Sequence, residues 1–196
     1  RLCGEGDFMP PEGAATVNEA QDVLAETRLG VPAIAHEECL SGYMGPGGTT
    51  FPQSIGLAST WEPTLVEAIT TEIRRQLQSI GVSHALSPVA DLARDSRWGR
   101  TEETLGEDQY LVARMVCGYV SGVQGEGPED GVAATVKHFV GHGASRGGKN
   151  RRTVSPGRRD LHEHLFPFEA AVREADVEAV MNAYHDLDGV PCTSSR

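Results

Sequence analysis

An apolar run rich in β-branched residues, Val132 to Gly141 (VAATVKHFVG), is interrupted by Lys137 and His138, and Gly143, Gly147 and Gly148 follow close behind. A continuous apolar run is what a strand buried on both faces requires, and such strands belong to parallel sheets covered by helices. In α/β sheets and barrels the chemistry sits where strands end. Lys137 and His138 therefore stand where a site would be built, and the other segments are read around that strand.

Glu19 to Thr27 has helix-forming composition and leads through Arg28-Leu29-Gly30 into a short strand, Val31 to Ala35, that ends in His36-Glu37-Glu38. Gly42 to Pro52 carries the glycine, proline and threonine of a loop. Ser59 or Thr60 is placed to cap the next helix, with Pro63 in its first turn. Leu65, Ile69, Ile73, Leu77 and Ile80 then recur near the helical period, and Gly81 closes the segment. A second strand, Val82 to Ala90, precedes the polar run Asp91 to Arg100. Glu107 to Gln124 reads as a helix with Leu111, Met115, Tyr119 and Val123 on one stripe. After the central strand, Leu161, Leu165, Phe168 and Val172 mark a further helix, which Pro167 is expected to kink or split. Glu178 to Tyr184 is the fourth strand, ending in Tyr184-His185-Asp186.

Strands recurring about every 50 residues with helices between them predict βαβ units and a parallel sheet. An open sheet concentrates its ligand groups at one switch point, whereas a barrel recruits every strand end around one mouth. Polar residues stand at the end of all four strands here. The expected fold is therefore α/β, the amino-terminal half of a (β/α)8 TIM-type barrel, truncated after four strands. The domain, 1–196, is expected to be incomplete at its carboxyl end and, because it opens at Arg1 rather than a methionine, at its amino end.

Charge narrows the partners. A formal net charge of -11 argues against a general nucleic-acid binder, and no apolar stretch is long enough to span a membrane. Arg146, Lys149, Arg151, Arg152, Arg158 and Arg159 nevertheless crowd one loop region. Cys3, Cys39, Cys117 and Cys192 form no C-x-x-C pair, which suits packed thiols in a reducing, cytoplasmic compartment rather than a disulfide frame or a zinc site. No cofactor is implied.

The assembled motifs carry a resemblance. Arg-Leu-Gly-Val-Pro followed by His-Glu-Glu-Cys-Leu-Ser-Gly (28–42), Phe-Pro-Gln (51–53), Arg-Trp-Gly-Arg-x-Glu-Glu-x-x-Gly-Glu-Asp (97–108), Lys-His-Phe (137–139), Met-Asn-Ala-Tyr (181–184) and Asp-Gly-Val-Pro (188–191) together resemble the amino-terminal domain of glycoside hydrolase family 3. That family includes β-glucosidases, β-xylosidases and related exo-acting enzymes. The resemblance implies that Glu38, where many members carry aspartate, grips sugar hydroxyls. It assigns Arg100, Lys137 and His138 to sugar contact and places Tyr184 near the nucleophile. A further basic contact is Lys149 or Arg151. The implied substrate is a β-linked oligosaccharide or aryl glycoside with a terminal glucosyl or xylosyl unit.

The residue types suit that task on chemical grounds. A pyranose presents a ring of hydroxyls, and charge-assisted hydrogen bonds from lysine, arginine and carboxylate are stronger than neutral ones. Retaining glycosidases also need a nucleophile and an acid/base carboxyl group. The resemblance puts the nucleophile, an aspartate, on the strand after Met-x-x-Tyr, roughly 30 residues past Tyr184 and beyond Arg196. No catalytic residue is therefore assigned within the chain, and Glu102, Glu103, Glu107 and Asp108 are read as helix-start residues.

Three other readings compete. The first is a non-catalytic sugar-binding homologue. Gly143-Ala144-Ser145-Arg146-Gly147 also fits the G-x-S-x-G nucleophile elbow of a serine hydrolase, although Ser145 lies several residues past the strand rather than on a strand-to-helix turn. A metal-dependent hydrolase would use His138 with His142, or His162 with His164, but the first pair, though spaced by four, straddles a strand end, and the second on a helix points to different faces. Four strands of a barrel leave two open edges, so the chain is expected to need its continuation or self-association.

Overall fold

The computed structural model describes residues 9–127 and 129–195; Cys3 lies outside them. Its frame is a four-stranded parallel sheet in the order β1 (His36–Glu37), β2 (His84–Ala85), β3 (Ala133–Phe139), β4 (Ala179–Asn182). Helices α3 (Pro63–Ser79), α4 (Gln109–Gln124) and α5 (Arg158–Glu174) connect successive strands, with the short α2 (Ser54–Ala58) before them. Helix α1 (Pro10–Ala25) precedes the sheet, and a small antiparallel hairpin, β5 (Asp186–Leu187) with β6 (Val190–Pro191), follows it. Sequential parallel pairing with helical crossovers is the α/β barrel pattern read from the sequence.

One main core fills the space between sheet and helices. Val66, Thr70, Ile73 and Leu77 form the buried stripe of α3, at the i, i+4, i+3 spacing of one helical face. Leu65, expected in that stripe, is 42% exposed, so the apolar face is rotated by one position. Helix α4 is buried almost all round from Val112 to Val123, because α3 and α5 flank it and the sheet lies beneath. A β-carbon added at Gly122 would meet the Thr70 hydroxyl at 2.0 Å and the Glu67 carbonyl at 2.4 Å. That glycine lets α3 and α4 approach at backbone distance.

Several local expectations need correction. The first helix starts at Pro10 rather than Glu19 and ends at Ala25. Val31 to Ala35 is not a strand; Val31 and Ile34 are exposed, and the two-residue strand begins at His36. Within Val82 to Ala90 only His84 and Ala85 form regular strand, since Pro88 has no N–H to donate. The segment still tracks β3, with Thr135 N–H donating to Ser87 O (3.0 Å), Lys137 N–H to Pro88 O (3.1 Å) and Ala90 N–H to Lys137 O (2.7 Å).

Neither Ser59 nor Thr60 caps α3. Glu62 is the residue before its first turn, and Pro63 opens the helix as expected. Pro167 neither splits nor ends α5, which runs 17 residues through it. The lost N–H is offset by burial of Pro167 together with Phe168 and Ala171. Cys39 and Cys117 are buried, and Cys39, Cys117 and Cys192 are all free thiols. No helix among the described residues is long and apolar enough to cross a membrane.

Candidate functional site: a charged cluster at the strand ends

β3 delivers both of its polar residues at its carboxyl end. In a regular strand Lys137 and His138 would point to opposite faces. The pairing of β3 with β4 shifts register here, Lys137 facing Met181 and Phe139 facing Asn182, so His138 is the extra residue of a bulge. Bulges re-aim side chains next to sites. The Lys137–His138 and Phe139–Val140 peptide bonds are both cis.

Lys137 is 1% exposed yet carries an ammonium group, and its Nζ donates to Glu38 Oε2 at 2.5 Å. Glu38 stands just past β1, so this pair joins the ends of the first and third strands. Its carboxylate remains 41% exposed and can serve a ligand as well as the lysine.

His138 is held by a different device. Asp91, 1% exposed and just past the second strand segment, accepts from His138 N–H (2.9 Å), from His138 Nδ1–H (2.8 Å) and from His142 N–H (3.1 Å). A carboxylate only accepts, so the histidine proton sits on Nδ1 and Nε2 is left as an acceptor. Arg100 Nη1–H donates to that Nε2 at 3.0 Å. Arg100 is itself fixed by Glu103, whose carboxylate accepts from Nε–H (2.8 Å) and Nη2–H (2.7 Å).

The result is one chain of contacts, Asp91 to His138 to Arg100 to Glu103. Burial pushes the Asp91 carboxyl upward, but the N–H groups that His138 donates to it, with the His142 imidazole nearby, outweigh it and hold Asp91 below the usual carboxylate range. Burial opposes the Arg100 charge, and the Glu103 carboxylate overcomes that to raise its pKa.

Beneath this chain lies a packed set of rings. His142 is fully buried between Trp98 (centroids 5.1 Å apart), His138 (4.8 Å), Tyr184 (5.6 Å) and His185 (5.5 Å, nearly parallel). His185 Nε2–H donates to Val140 O at 3.1 Å, so its Nδ1 accepts from His142 Nδ1–H at 3.3 Å. His142 Nε2 is then a buried acceptor without a partner among the described residues. Burial first, then the neighbouring positive groups, pull the His142 pKa down to about 4 even though Asp91 opposes this. Tyr184 is 60% exposed, its ring 6.0 Å from that of His138.

The structure thus gathers Glu38, Arg100, Lys137, His138 and Tyr184 at one end of the sheet. Lys149 and Arg151 lie on the loop beyond, exposed, and their side chains have no polar partner among the described residues. Asp91, Trp98, His142 and His185 had no assigned part in sugar contact. Asp91 could have been found, since it opens the polar run at a strand end, the same rule that singled out Lys137.

Glu103 was read as a helix-start residue and does lie in a single helical turn, Thr101–Glu103, but its carboxylate also clamps Arg100. Asp108 does cap α4, its Oδ1 accepting from Leu111 N–H at 2.8 Å. Ser145 is fully buried with its hydroxyl donating to His142 O at 2.7 Å, which is no exposed nucleophile elbow. Among the described residues no group of three or more His, Cys, Asp or Glu could hold a metal ion.

Known proteins are similar to this chain along most of its length. A beta-xylosidase of Formosa agariphila is 44% identical over 184 residues, covering 88% of this chain and 25% of that protein. A beta-glucosidase of Rhizobium radiobacter is 38% identical, covering 85% of the chain and 21% of its relative. Among solved structures, a β-glucosidase from Erythrobacter marinus superposes with a TM-score of 0.89 at 35% identity, over 94% of this chain and 25% of that one. A mutant β-glucosidase from Listeria innocua in complex with laminaribiose gives 0.86 at 31% identity, over 93% and 25%. The chain thus spans about a quarter of the length of these relatives, and its four strands are part of their TIM-type barrel. The family described as "Glycosyl hydrolase family 3 N terminal domain" matches residues 2–196, and the chain belongs to glycoside hydrolase family 3.

Proposed function

We propose that the protein containing this chain is an exo-acting retaining β-glycosidase that removes terminal non-reducing β-D-glucosyl or β-D-xylosyl units from β-linked oligosaccharides or aryl glycosides. The observation that carries this is the convergence of the Glu38–Lys137 pair and the Asp91–His138–Arg100–Glu103 chain at one sheet end. Such an array offers charged donors and a charged acceptor within reach of one ring of hydroxyls.

In this reading Glu38 accepts from sugar hydroxyls while Lys137, Arg100 and His138 bind the same ring. Asp91 is a positioning residue that fixes which nitrogen His138 presents. Contacts to the hydroxyl beside the reacting carbon strengthen as oxocarbenium character develops, so rigid donors there favour the transition state. Tyr184 borders the reacting carbon, and Lys149 or Arg151 supplies a further sugar contact. The nucleophile aspartate is assigned to the strand beyond Arg196, and the acid/base to a later segment. The domain 1–196 is, on this view, the substrate-binding half of a barrel completed by its continuation.

The test is hydrolysis of a panel of aryl β-glycosides by this chain alone and by the chain with its natural continuation. Turnover only by the longer protein supports the reading and names the sugar. Turnover by the short chain would overturn the assignment of the nucleophile. Sugar binding without turnover by the longer protein would establish a non-catalytic homologue instead.

A further inference from the structure

The strand-end cluster is bordered by a loop from which the glycosidase reading takes a single contact, Lys149 or Arg151. Between His142 and Arg159 there are six cationic side chains and no carboxylate, in a chain whose acidic residues outnumber its basic ones 28 to 17. Arg146, Lys149, Arg152 and Thr153 with Gly147 line an open cavity of about 270 Å³. Arg146, Lys149, Arg151 and Arg152 are exposed, and among the described residues none has a side-chain hydrogen bond or ion pair. Several arginines elsewhere are matched: Arg94 with Glu163, Arg97 with Asp95, Arg100 with Glu103, Arg114 with Glu174.

The loop backbone, by contrast, is pinned. Trp98 Nε1–H donates to Asn150 Oδ1 at 2.7 Å, and Thr153 Oγ1–H donates to Asp186 Oδ2 at 3.0 Å. Gly148 lies against the backbone of Arg97 and Trp98, where a β-carbon would sit 2.5 Å from the Arg97 carbonyl carbon. Trp98 in turn touches His142 and lies under Arg100, and Asp186 follows Tyr184 and His185. The cationic cavity is therefore fixed beside the sugar-contact cluster on two sides.

Unneutralised cations around a concave surface focus a positive potential and raise the local concentration of anions. We propose that this loop is an anion subsite, which selects substrates carrying a carboxylate or sulfate ester on the sugar next to the one held by Lys137 and His138. The proposal rests on the glycosidase reading above. It assigns the oxyanion to the neighbouring unit because the hydroxyls of the first sugar are already taken by Glu38, Lys137, Arg100 and His138.

The test uses the full-length protein and three disaccharides that share the same terminal β-sugar. Their second units are neutral, uronate-bearing and sulfated. At low salt, kcat/KM for at least one anionic substrate should exceed that for the neutral one roughly tenfold, and the gap should narrow at high salt as exposed charges are screened. A gain confined to the uronate or to the sulfate identifies which oxyanion is read.

The double variant Arg146→Gln/Arg152→Gln should lower the anionic-to-neutral ratio by about tenfold. Its melting temperature should be unchanged, since neither side chain has a partner among the described residues. Arg152→Glu should lower the ratio further. Equal kcat/KM on neutral and anionic substrates, or a ratio that the double variant leaves intact, would overturn the proposal while leaving the glycosidase reading standing. Silence on every glycoside, neutral ones included, would overturn both.

Discussion

The two cationic regions at the strand ends are built differently. In the cluster, Lys137, His138 and Arg100 are each held against a carboxylate, and two of the three are buried to 1% exposure. In the loop from Arg146 to Arg152 every charged side chain is exposed and none is paired among the described residues. Buried and paired charge fixes the geometry of a contact, and removing one partner is expensive because the other is stranded in a medium that solvates it poorly. Exposed and unpaired charge fixes little, but it projects a field that salt can screen. Stability should therefore be sensitive in the first region and indifferent in the second.

The largest effect is expected at Asp91. Asp91→Ala leaves three N–H groups of His138 and His142 without their acceptor and should cost about 3–5 kcal/mol. Chemical denaturation of the chain with its natural continuation would read this, and a loss below about 1 kcal/mol would erase the contrast between the regions. Activity should fall with it, because the His138 ring then has nothing to keep its proton on Nδ1.

Next comes the Lys137–Glu38 pair, where the order of the two truncations is informative. Glu38→Ala leaves a buried ammonium group uncompensated and should destabilise by about 2 kcal/mol. Lys137→Met leaves only a carboxylate that water already reaches, and should cost less, about 1 kcal/mol. If Lys137→Met proved the more damaging, the charge on Lys137 would be satisfied by something other than Glu38.

Acid should act on the cluster in the same direction from His142, from His185, whose pKa burial also lowers, and from Asp91. His142 titrates near 4 in the folded protein against about 6.5 when unfolded, so between those values the unfolded state binds more protons and stability falls as pH is lowered. Asp91, held below its ordinary value, adds a loss at still lower pH as it is finally protonated. A melting-temperature profile should drop steadily below about pH 6.5, and His142→Gln should flatten the upper part of that drop. A profile level down to pH 4 would show that His142 is not a buried neutral imidazole.

The smallest effect is expected in the loop. Arg151→Gln removes no hydrogen bond or ion pair among the described residues and should move the melting temperature by less than about 2 °C. A larger shift would mean that the loop has a partner in the full-length protein, and would bring the two regions under one rule.

By itself the sequence determined the order and kind of the elements. Periodicity located α3 and α4, a continuous apolar run located β3, and strand ends collected Glu38, Lys137, His138 and Tyr184, because these are local consequences of side-chain spacing and polarity. The helix start at Pro10 and the uninterrupted run through Pro167 escaped it; in the second, burial of Pro167 beside Phe168 and Ala171 overrode local preference. Who pairs with whom was left to the tertiary structure. Lys137 meets Glu38 across 99 residues, His138 meets Asp91 across 47 and Arg100 across 38. Helical crossovers bring those strand ends together, and a bulge at His138 turns its ring toward Asp91; neither event leaves a mark in the spacing of residues along the chain.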